Sequence, residues 1–267
     1  MERVNRFLGS VGRQVLIFFG HLDRISKLTM QSMYWIFVAP FKNKAINWKS
    51  TFEQMVRIGV DSIPIVSLIA FFVGLIIAMQ SAYQLKQLGA TIYVANLVVV
   101  SIIRELSPLL TAIVITGRSG SAIAAEIGTM KVSEEIDALQ TMGINPIRFL
   151  VIPRTIALLI MLPCLTIMAD FIGILGGYVI ALISLDITSI RYIDQTISAL
   201  TFKDLLSGLV KSVFFALIIA KIGCYEGFIV KGGAEGVGRS TTQAVVVSIF
   251  LIIAADVFFT ALFYSTF

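Results

Sequence analysis

The sequence predicts an all-α integral membrane protein with five transmembrane helices. Three observations carry this prediction: apolar residues are abundant, charged residues are few, and the basic residues collect on alternate sides of long apolar runs. Of 267 residues, 57% are hydrophobic and 14% are charged, whereas a soluble domain has roughly 25% charged residues. A water-soluble chain of this length could not bury so much apolar surface in one core. Lipid is therefore the expected solvent for most of the chain.

The first 50 residues differ from the rest and predict an N-terminal interfacial amphipathic segment. The best apolar run there, Met30–Phe41, is shorter than the ~20 residues that a spanning helix needs. Aromatic residues suited to the headgroup layer accompany it, namely Tyr34, Trp35 and Trp48. Charged residues interrupt residues 1–28, whereas a cleavable signal peptide needs an unbroken apolar stretch. The alternative interpretation of Met30–Phe41 is a sixth span.

Five later apolar runs are each long enough to cross about 30 Å of hydrocarbon. They lie at about 62–85, 92–117, 155–185, 205–227 and 241–267. Sixteen of the 21 Lys and Arg residues precede the first run, follow the second, or lie in the last part of the fourth run and after it, whereas three lie in the loops of the opposite side. Basic loops stay in the cytoplasm, so the N-terminus is expected in the cytoplasm and the C-terminus in the periplasm. The net charge of +5 is accounted for by this pattern, without a nucleic-acid partner.

Charged residues fall inside these runs, among them Arg104, Glu105, Asp170, Lys211 and Asp256. Each would cost a few kcal/mol facing lipid, so each is expected to face protein, water or a polar headgroup. One interpretation is mutual pairing, with Arg104 or Lys211 against one of the three carboxylates. The other is a polar route for a lipid headgroup through an apolar cavity. The two interpretations are compatible.

The segment between the second and third runs predicts a short cytoplasmic amphipathic helix at about 133–142. Ser133 is a favourable N-cap, and acidic residues follow it where the helix dipole favours them. Such a short helix is marginal in water and needs a surface to pack on. This favours a coupling helix that docks a cytoplasmic partner over a merely structured loop. The candidate coupling residues are Glu134, Glu135, Asp137 and Leu139.

The sequence predicts no catalytic residue, metal site or cofactor in this chain. The single histidine, His21, and the two cysteines, Cys164 and Cys224, have no metal-ligand spacing, and both cysteines are expected to be small buried residues. The stretch GAEGVGRS at 233–240 approaches a phosphate-binding loop, but it has Arg239 in place of lysine and no preceding strand. We expect a flexible Gly-rich cytoplasmic loop there.

Several separated motifs, in the right order, resemble the MlaE-type (YrbE-type) family of ABC transporter permeases. They are RELSPLLTAIVITGRSGSA at 104–122, AEIGTMKVSEEIDALQTMGINPIRFLVIPR at 125–154, VKSVFFAL at 210–217, GVGRSTT at 236–242 and ADVFFTALF at 255–263. The resemblance covers about residues 50 to 267, which predicts a permease domain at 51–267. Residues 1–50 contain none of these motifs and resemble the family only in their general amphipathic character.

The resemblance implies a homodimeric permease in the bacterial inner membrane that moves phospholipids or related lipids and so serves outer-membrane lipid asymmetry. A separate cytoplasmic ATPase would hold ATP and Mg, and a protein with an MCE domain would act on the outer face. The family's important charged positions match Arg104, Glu105, Lys211 and Asp256. Two alternatives remain, an ion-driven secondary transporter and an intramembrane lipid-modifying enzyme. Five spans do not divide into the paired halves that are typical of secondary transporters. An enzyme usually needs a general base, and the lone histidine lies far from the spans.

Overall fold

The computed structural model describes residue 20 and residues 23–38, 47–185 and 187–266. Over these residues the chain is helical, and no strand occurs in them. Five helices of this described part are long and apolar enough to cross a membrane. They are α2 (Trp48–Gln87), α3 (Val94–Val132), α5 (Ile147–Ser184), α7 (Phe202–Phe228) and α8 (Gly233–Thr266). The prediction of an all-α membrane protein with five such helices is confirmed.

Three shorter helices complete the described residues. α1 covers residues 23–33 and continues as a π-helical turn at Tyr34–Val38, α4 is Glu135–Thr141, and α6 is Ser189–Ala199. Most of the predicted interfacial segment, including His21, lies outside the described residues. Its described end is the amphipathic beginning of α2 (Trp48–Ile58), which exposes Trp48, Phe52 and Val56 along one face. A 3-10 turn at Val60–Ser62 then leads into the apolar part of α2.

The helices extend beyond the apolar runs from which they were predicted. α3 continues to Val132, and α8 begins at Gly233, because backbone hydrogen bonds rather than hydrophobicity decide where a helix ends. The Gly-rich stretch 233–240 is therefore the first two turns of α8, and the expectation of a flexible loop there is wrong. Gly232 and Gly233 supply the turn before it with φ values of 90° and 71°, and the element that precedes this turn is a helix, α7.

Glycine contacts bring the long helices together. A Cβ at Gly74 of α2 would collide with the backbone carbonyl of Gly173 in α5, so the two backbones touch there. Small residues allow such close approach, which is how helices associate in lipid. The main core lies where α3, α5 and α7 meet, and it includes the buried Cys224. Cys164, in contrast, lies exposed on α5, so its predicted burial is wrong.

Two proline residues are preceded by π-helical turns. The turn Ile102–Leu106 in α3 comes before Pro108, and the turn Ile147–Val151 at the start of α5 comes before Pro153. Proline has no N–H and crowds the preceding turn of a helix. In both places the backbone hydrogen bonds of that turn join residues five apart instead of four. Another π turn, Thr116–Gly120, lies further along α3. Such turns are frequent at functional sites.

Candidate functional site

Lys211 on α7 is the centre of a buried ionic network that joins three helices. Its ammonium nitrogen donates hydrogen bonds to Glu105 Oε2 on α3 (2.5 Å) and to Thr260 Oγ1 on α8 (2.7 Å). The same nitrogen lies 2.9 Å from Asp256 Oδ1, also on α8. The Thr260 hydroxyl donates in turn to Glu105. The Lys211 side chain is only 1% exposed, and its charge is paired with two carboxylates. For Lys211, the interpretation of mutual pairing therefore agrees with the structure.

A second ion pair lies beside this network. Arg104 NH1 of α3 is 3.5 Å from Asp204 Oδ1 of α7. Asp204 is fixed in the first turn of α7, where its side chain accepts a hydrogen bond of 2.6 Å from the Thr201 hydroxyl. Arg104 and Glu105, which are adjacent in α3, therefore pair with two different residues of α7, Asp204 and Lys211.

Sequence reasoning did not single out Asp204 or Thr260. Both carry a signal that could have found them, which is helical spacing from a residue that was singled out. Asp204 precedes Lys211 by seven residues, about two turns, and Thr260 follows Asp256 by four. Residues at these spacings share a helix face.

Asp170 stands apart from this network. It forms no ion pair with any residue that the structure describes, so the interpretation that gave it a basic partner does not fit. Its carboxylate interacts with the Ser107 hydroxyl, and its Oδ1 has no hydrogen-bond partner among the described residues. Asp170 is therefore a separate polar position on α5.

The π turn of α3 and a glycine of α7 bring the charged residues into contact. Arg104 and Glu105 both belong to the turn Ile102–Leu106. Opposite them, between Asp204 and Lys211, is Gly208, where a Cβ would collide with the Ile103 carbonyl oxygen. The α7 backbone can therefore lie directly against the turn, at a distance that a salt bridge can span.

The network has a sealed part and an accessible part. Glu105 remains 36% exposed, whereas Asp256 is 14% exposed. Aromatic rings flank it on α7 and α8, with the ring centroids of Phe214 and Phe259 4.6 Å apart. Two cations and three carboxylates thus form a polar patch within an apolar surface. Such a patch can bind the charged head of an amphipathic molecule beside its apolar part.

The site consists of paired charges and hydroxyl groups on three helices. Among the described residues, no group of three or more His, Cys, Asp or Glu could hold a metal ion. The predicted roles of Arg104, Glu105, Lys211 and Asp256 in a lipid route stay predictions, but the structure places all four at one site.

A large groove lies at the other end of α7 and α8. Its volume is about 830 Å³. Charged side chains line one part of it and apolar side chains the other: Glu226, Lys231 and Arg239 on the one hand, and Val246, Val247, Phe250 and Leu251 on the other. We call the end of the bundle that carries α4 and the turn between α7 and α8 the basic end.

The structure places helix α4 at this basic end but begins it later than predicted. Ser133 is not its N-cap, because its hydroxyl donates to the Thr129 carbonyl at the end of α3 (2.9 Å) and to Glu135 Oε1 (2.9 Å). Glu134 adopts the left-handed conformation, with a φ of 61°, and this turn separates the two helices. Gly143, with a φ of 74°, follows α4 and forms the turn after it.

The apolar face of α4 packs on its own chain. Ile136 is 2% exposed, and Leu139 packs against the main core. Leu139 is only partly buried, so this packing leaves part of it accessible, and its predicted role in coupling stays a prediction. The acidic residues remain at the surface, with Asp137 held by Lys131 at 3.0 Å. The most exposed of the predicted coupling residues are therefore the acidic ones, Glu134, Glu135 and Asp137.

Comparison with known proteins identifies the family. The family model described as Permease MlaE matches residues 51–262. A probable ABC transporter permease protein of Rickettsia felis is 39% identical over 256 residues, which cover 96% of this chain and 97% of the relative. A second such protein, from Synechocystis, is 42% identical over 220 residues, covering 82% of this chain and 84% of that protein.

A plant relative is also similar. The Arabidopsis thaliana chloroplastic protein TRIGALACTOSYLDIACYLGLYCEROL 1 is 38% identical over 220 residues, which cover 82% of this chain and 63% of the relative. The range 51–262 that the family model matches covers nearly all of the five long helices and the whole Lys211 network. This multi-pass membrane protein belongs to the MlaE permease family of ABC transporters.

Proposed function

We propose that this chain is the membrane subunit of a homodimeric ABC transporter that moves phospholipids or related lipids. The observation that carries the proposal is the Lys211 network, a partly accessible cluster of charges inside helices that are otherwise apolar. Intramembrane charges are costly and typically mark a substrate path. Arg104, Glu105, Lys211 and Asp256 would shape the route of the lipid headgroup.

Two observations support a lipid as the substrate. The groove of about 830 Å³ has charged and apolar parts, as an amphipathic ligand requires, and its volume is in the range of ligand pockets. The Arabidopsis relative is named after trigalactosyldiacylglycerol, which is a diacylglycerol lipid.

The exposed face of α8 supports a homodimer. This helix carries Asp256 and Thr260, and it also exposes large apolar side chains that the described part of the chain leaves largely uncovered. These are Val246, Phe250, Ile253, Val257 and Phe258, which are 48–71% exposed. Phe250 also lines the groove, so a second copy packed on this face would help to enclose the lipid.

Energy would come from a separate cytoplasmic ATPase, as the ABC permease family implies. The acidic end of α4 is the surface that we propose for its docking, because α4 lies directly after α3 and shortly before α5. A movement of α4 would therefore be transmitted to both helices. On the outer face, the family resemblance implies a partner with an MCE domain.

The proposed orientation places the N-terminus and the basic end in the cytoplasm of a bacterial inner membrane, and the C-terminus in the periplasm. Cysteine labelling at two exposed positions tests it, in a variant without the two native cysteines. Ala138→Cys in α4 should react only from the cytoplasm, and Thr188→Cys before α6 only from the periplasm. Labelling from the opposite sides would refute the orientation.

Reconstitution tests the transport function. The chain, co-purified with its ATPase subunit, is placed in proteoliposomes, and ATP-dependent transfer of a fluorescent phospholipid is measured. We expect transfer that needs both subunits and is lost in Arg104→Ala and Asp256→Ala, whereas the exposed control Lys86→Ala retains it. Transport by the chain alone under an ion gradient would favour a secondary transporter. Modification of the lipid would favour an enzyme.

A further inference from the structure

A second, smaller polar cavity lies at the basic end, away from the Lys211 network. Its volume is about 120 Å³, and it is formed between the amphipathic part of α2 and the middle of α3. The residues that line it are Gln54, Arg57, Ile58, Arg118, Ser119, Ala122, Ile123 and Glu126. Nothing in the proposed route uses this cavity.

The cavity combines two guanidinium groups with a buried hydroxyl. Arg118 donates hydrogen bonds to the Arg57 carbonyl (3.1 Å) and to the Ser62 hydroxyl, which fixes its guanidinium at the wall. Ser119 is 4% exposed, and in the described part of the chain its Oγ has no hydrogen-bond partner. A buried hydroxyl without a partner is costly, so this donor is a candidate to bind a ligand in the cavity.

The local charge balance favours an anion. Glu126 is shared by Arg57 (3.3 Å) and by the buried Arg154 (3.0 Å), and Asp61 lies 3.7 Å from Arg118. Three guanidinium groups thus face two carboxylates. A guanidinium has five N–H donors, and those of Arg57 and Arg118 are only partly used by these long contacts. Arginine forks and hydroxyl donors are typical phosphate ligands.

The position of the cavity identifies the source of the phosphate. Arg57 ends the amphipathic part of α2, and the apolar part begins at Ile63, directly after the turn Val60–Ser62. The cavity therefore lies where the helix passes from the interface into hydrocarbon. The exposed Trp48, Phe52 and Val56 of the same amphipathic part suit the adjoining boundary of headgroups and acyl chains.

We propose that this cavity binds the phosphate group of an anionic phospholipid in the leaflet at the basic end. The bound lipid would stabilise the junction of α2 and α3. This site is distinct from the transport route, so its failure would leave the proposed function untouched.

Native mass spectrometry of the full chain in detergent, titrated with single lipids, tests the site. The probes are phosphatidylglycerol, phosphatidylcholine and inorganic phosphate. The double variant Arg118→Gln/Ser119→Ala should bind phosphatidylglycerol roughly tenfold more weakly, since it loses a charge-assisted and a neutral hydrogen bond. The matched control is Lys49→Gln, which removes one charge from an exposed position of α2 and should change the affinity less than about twofold.

A variant that binds phosphatidylglycerol more tightly than the wild type distinguishes loss of the site from misfolding, because a misfolded protein would not gain affinity. Asp61→Asn removes the carboxylate that competes for Arg118 and should strengthen phosphatidylglycerol binding. Preference for phosphatidylglycerol over phosphatidylcholine, with both variant effects, supports the site. Equal effects of the double variant and Lys49→Gln, or no preference between the lipids, would overturn it. Binding of inorganic phosphate with the same dependence on Arg118, without lipid binding, would overturn the lipid as the source.

Discussion

Replacement of Lys211 by methionine should separate the stabilising role of the ionic network from its role in transport. Methionine has a similar length and packs well in an apolar interior, so the main change is the loss of one charge. Lys211 Nζ is 2.5 Å from Glu105 Oε2 and 2.9 Å from Asp256 Oδ1. The two carboxylate oxygens are therefore at most about 5.4 Å apart, and in Lys211→Met they face each other without a cation.

The magnitude follows from these distances. At an effective dielectric constant of about 20, two unit charges at this separation repel by about 3 kcal/mol. Loss of one member of a buried pair typically costs about 3–5 kcal/mol. The low end applies here, because Glu105 is 36% exposed and is partly solvated. We therefore expect Lys211→Met to reduce the free energy of unfolding by about 3 kcal/mol.

A compensating variant makes the prediction specific. Lys211→Met/Asp256→Asn removes the repulsion and should recover most of the lost stability, whereas transport should stay lost because the charges of the route are gone. Unfolding in mixed micelles, followed by circular dichroism, measures stability, and lipid transfer in proteoliposomes measures function. A single variant as stable as the wild type, or a double variant no more stable than the single one, would refute the reasoning.

Three further predictions follow from other contacts. Gly74→Val should prevent stable folding, because the new side chain meets the backbone of Gly173, whereas Gly117→Ala, which meets nothing within 4 Å, should leave the yield of folded protein unchanged. Burial raises the pKa of Tyr192 in α6 to about 12. The neutral phenol therefore stabilises the fold fully below the unfolded pKa of about 10, and stability should fall as the pH rises from there towards 12, less so in Tyr192→Phe. Charge reversal of the exposed Glu135 to lysine should weaken recovery of the ATPase in a pull-down, and undiminished recovery would count against docking on α4.

The number of long helices could be predicted because lipid imposes a simple rule on sequence: a spanning helix needs about 20 mostly apolar residues. The partners of the buried charges could not be predicted in the same way. Lys211 and Glu105 are 106 residues apart, and Thr260 and Glu105 are 155 apart. Such pairs depend on how helices pack, which the hydropathy of each helix leaves open. The sequence shows only which residues share a face of one helix. Asp204 shares a face with Lys211, and Thr260 shares one with Asp256.

Local conformations were wrongly predicted where one residue type serves two purposes. Serine is a favoured N-cap residue, yet the Ser133 hydroxyl donates a hydrogen bond to the Thr129 carbonyl at the end of the preceding helix. The glycines of 233–240 are typical of loops, yet only Gly233 among them has a positive φ. Gly236 instead permits close packing, since a Cβ there would collide with the Lys231 carbonyl. Glycine signals either a turn or a close contact, and sequence alone does not distinguish them.

The distribution of Lys211's partners defines what a movement of the bundle would cost. Two of them, Asp256 and Thr260, lie on α8, and the third, Glu105, lies on α3. The contact of Gly208 with the π turn holds α3 and α7 together at this level, whereas the outer face of α8 is largely exposed among the described residues. Displacement of α8 would therefore break two interactions of Lys211 at once and leave the pair with Glu105 intact. A separation of this kind would uncover charge at the site while no cation is left without a partner, so the network is suited to open and close rather than to lock the helices permanently.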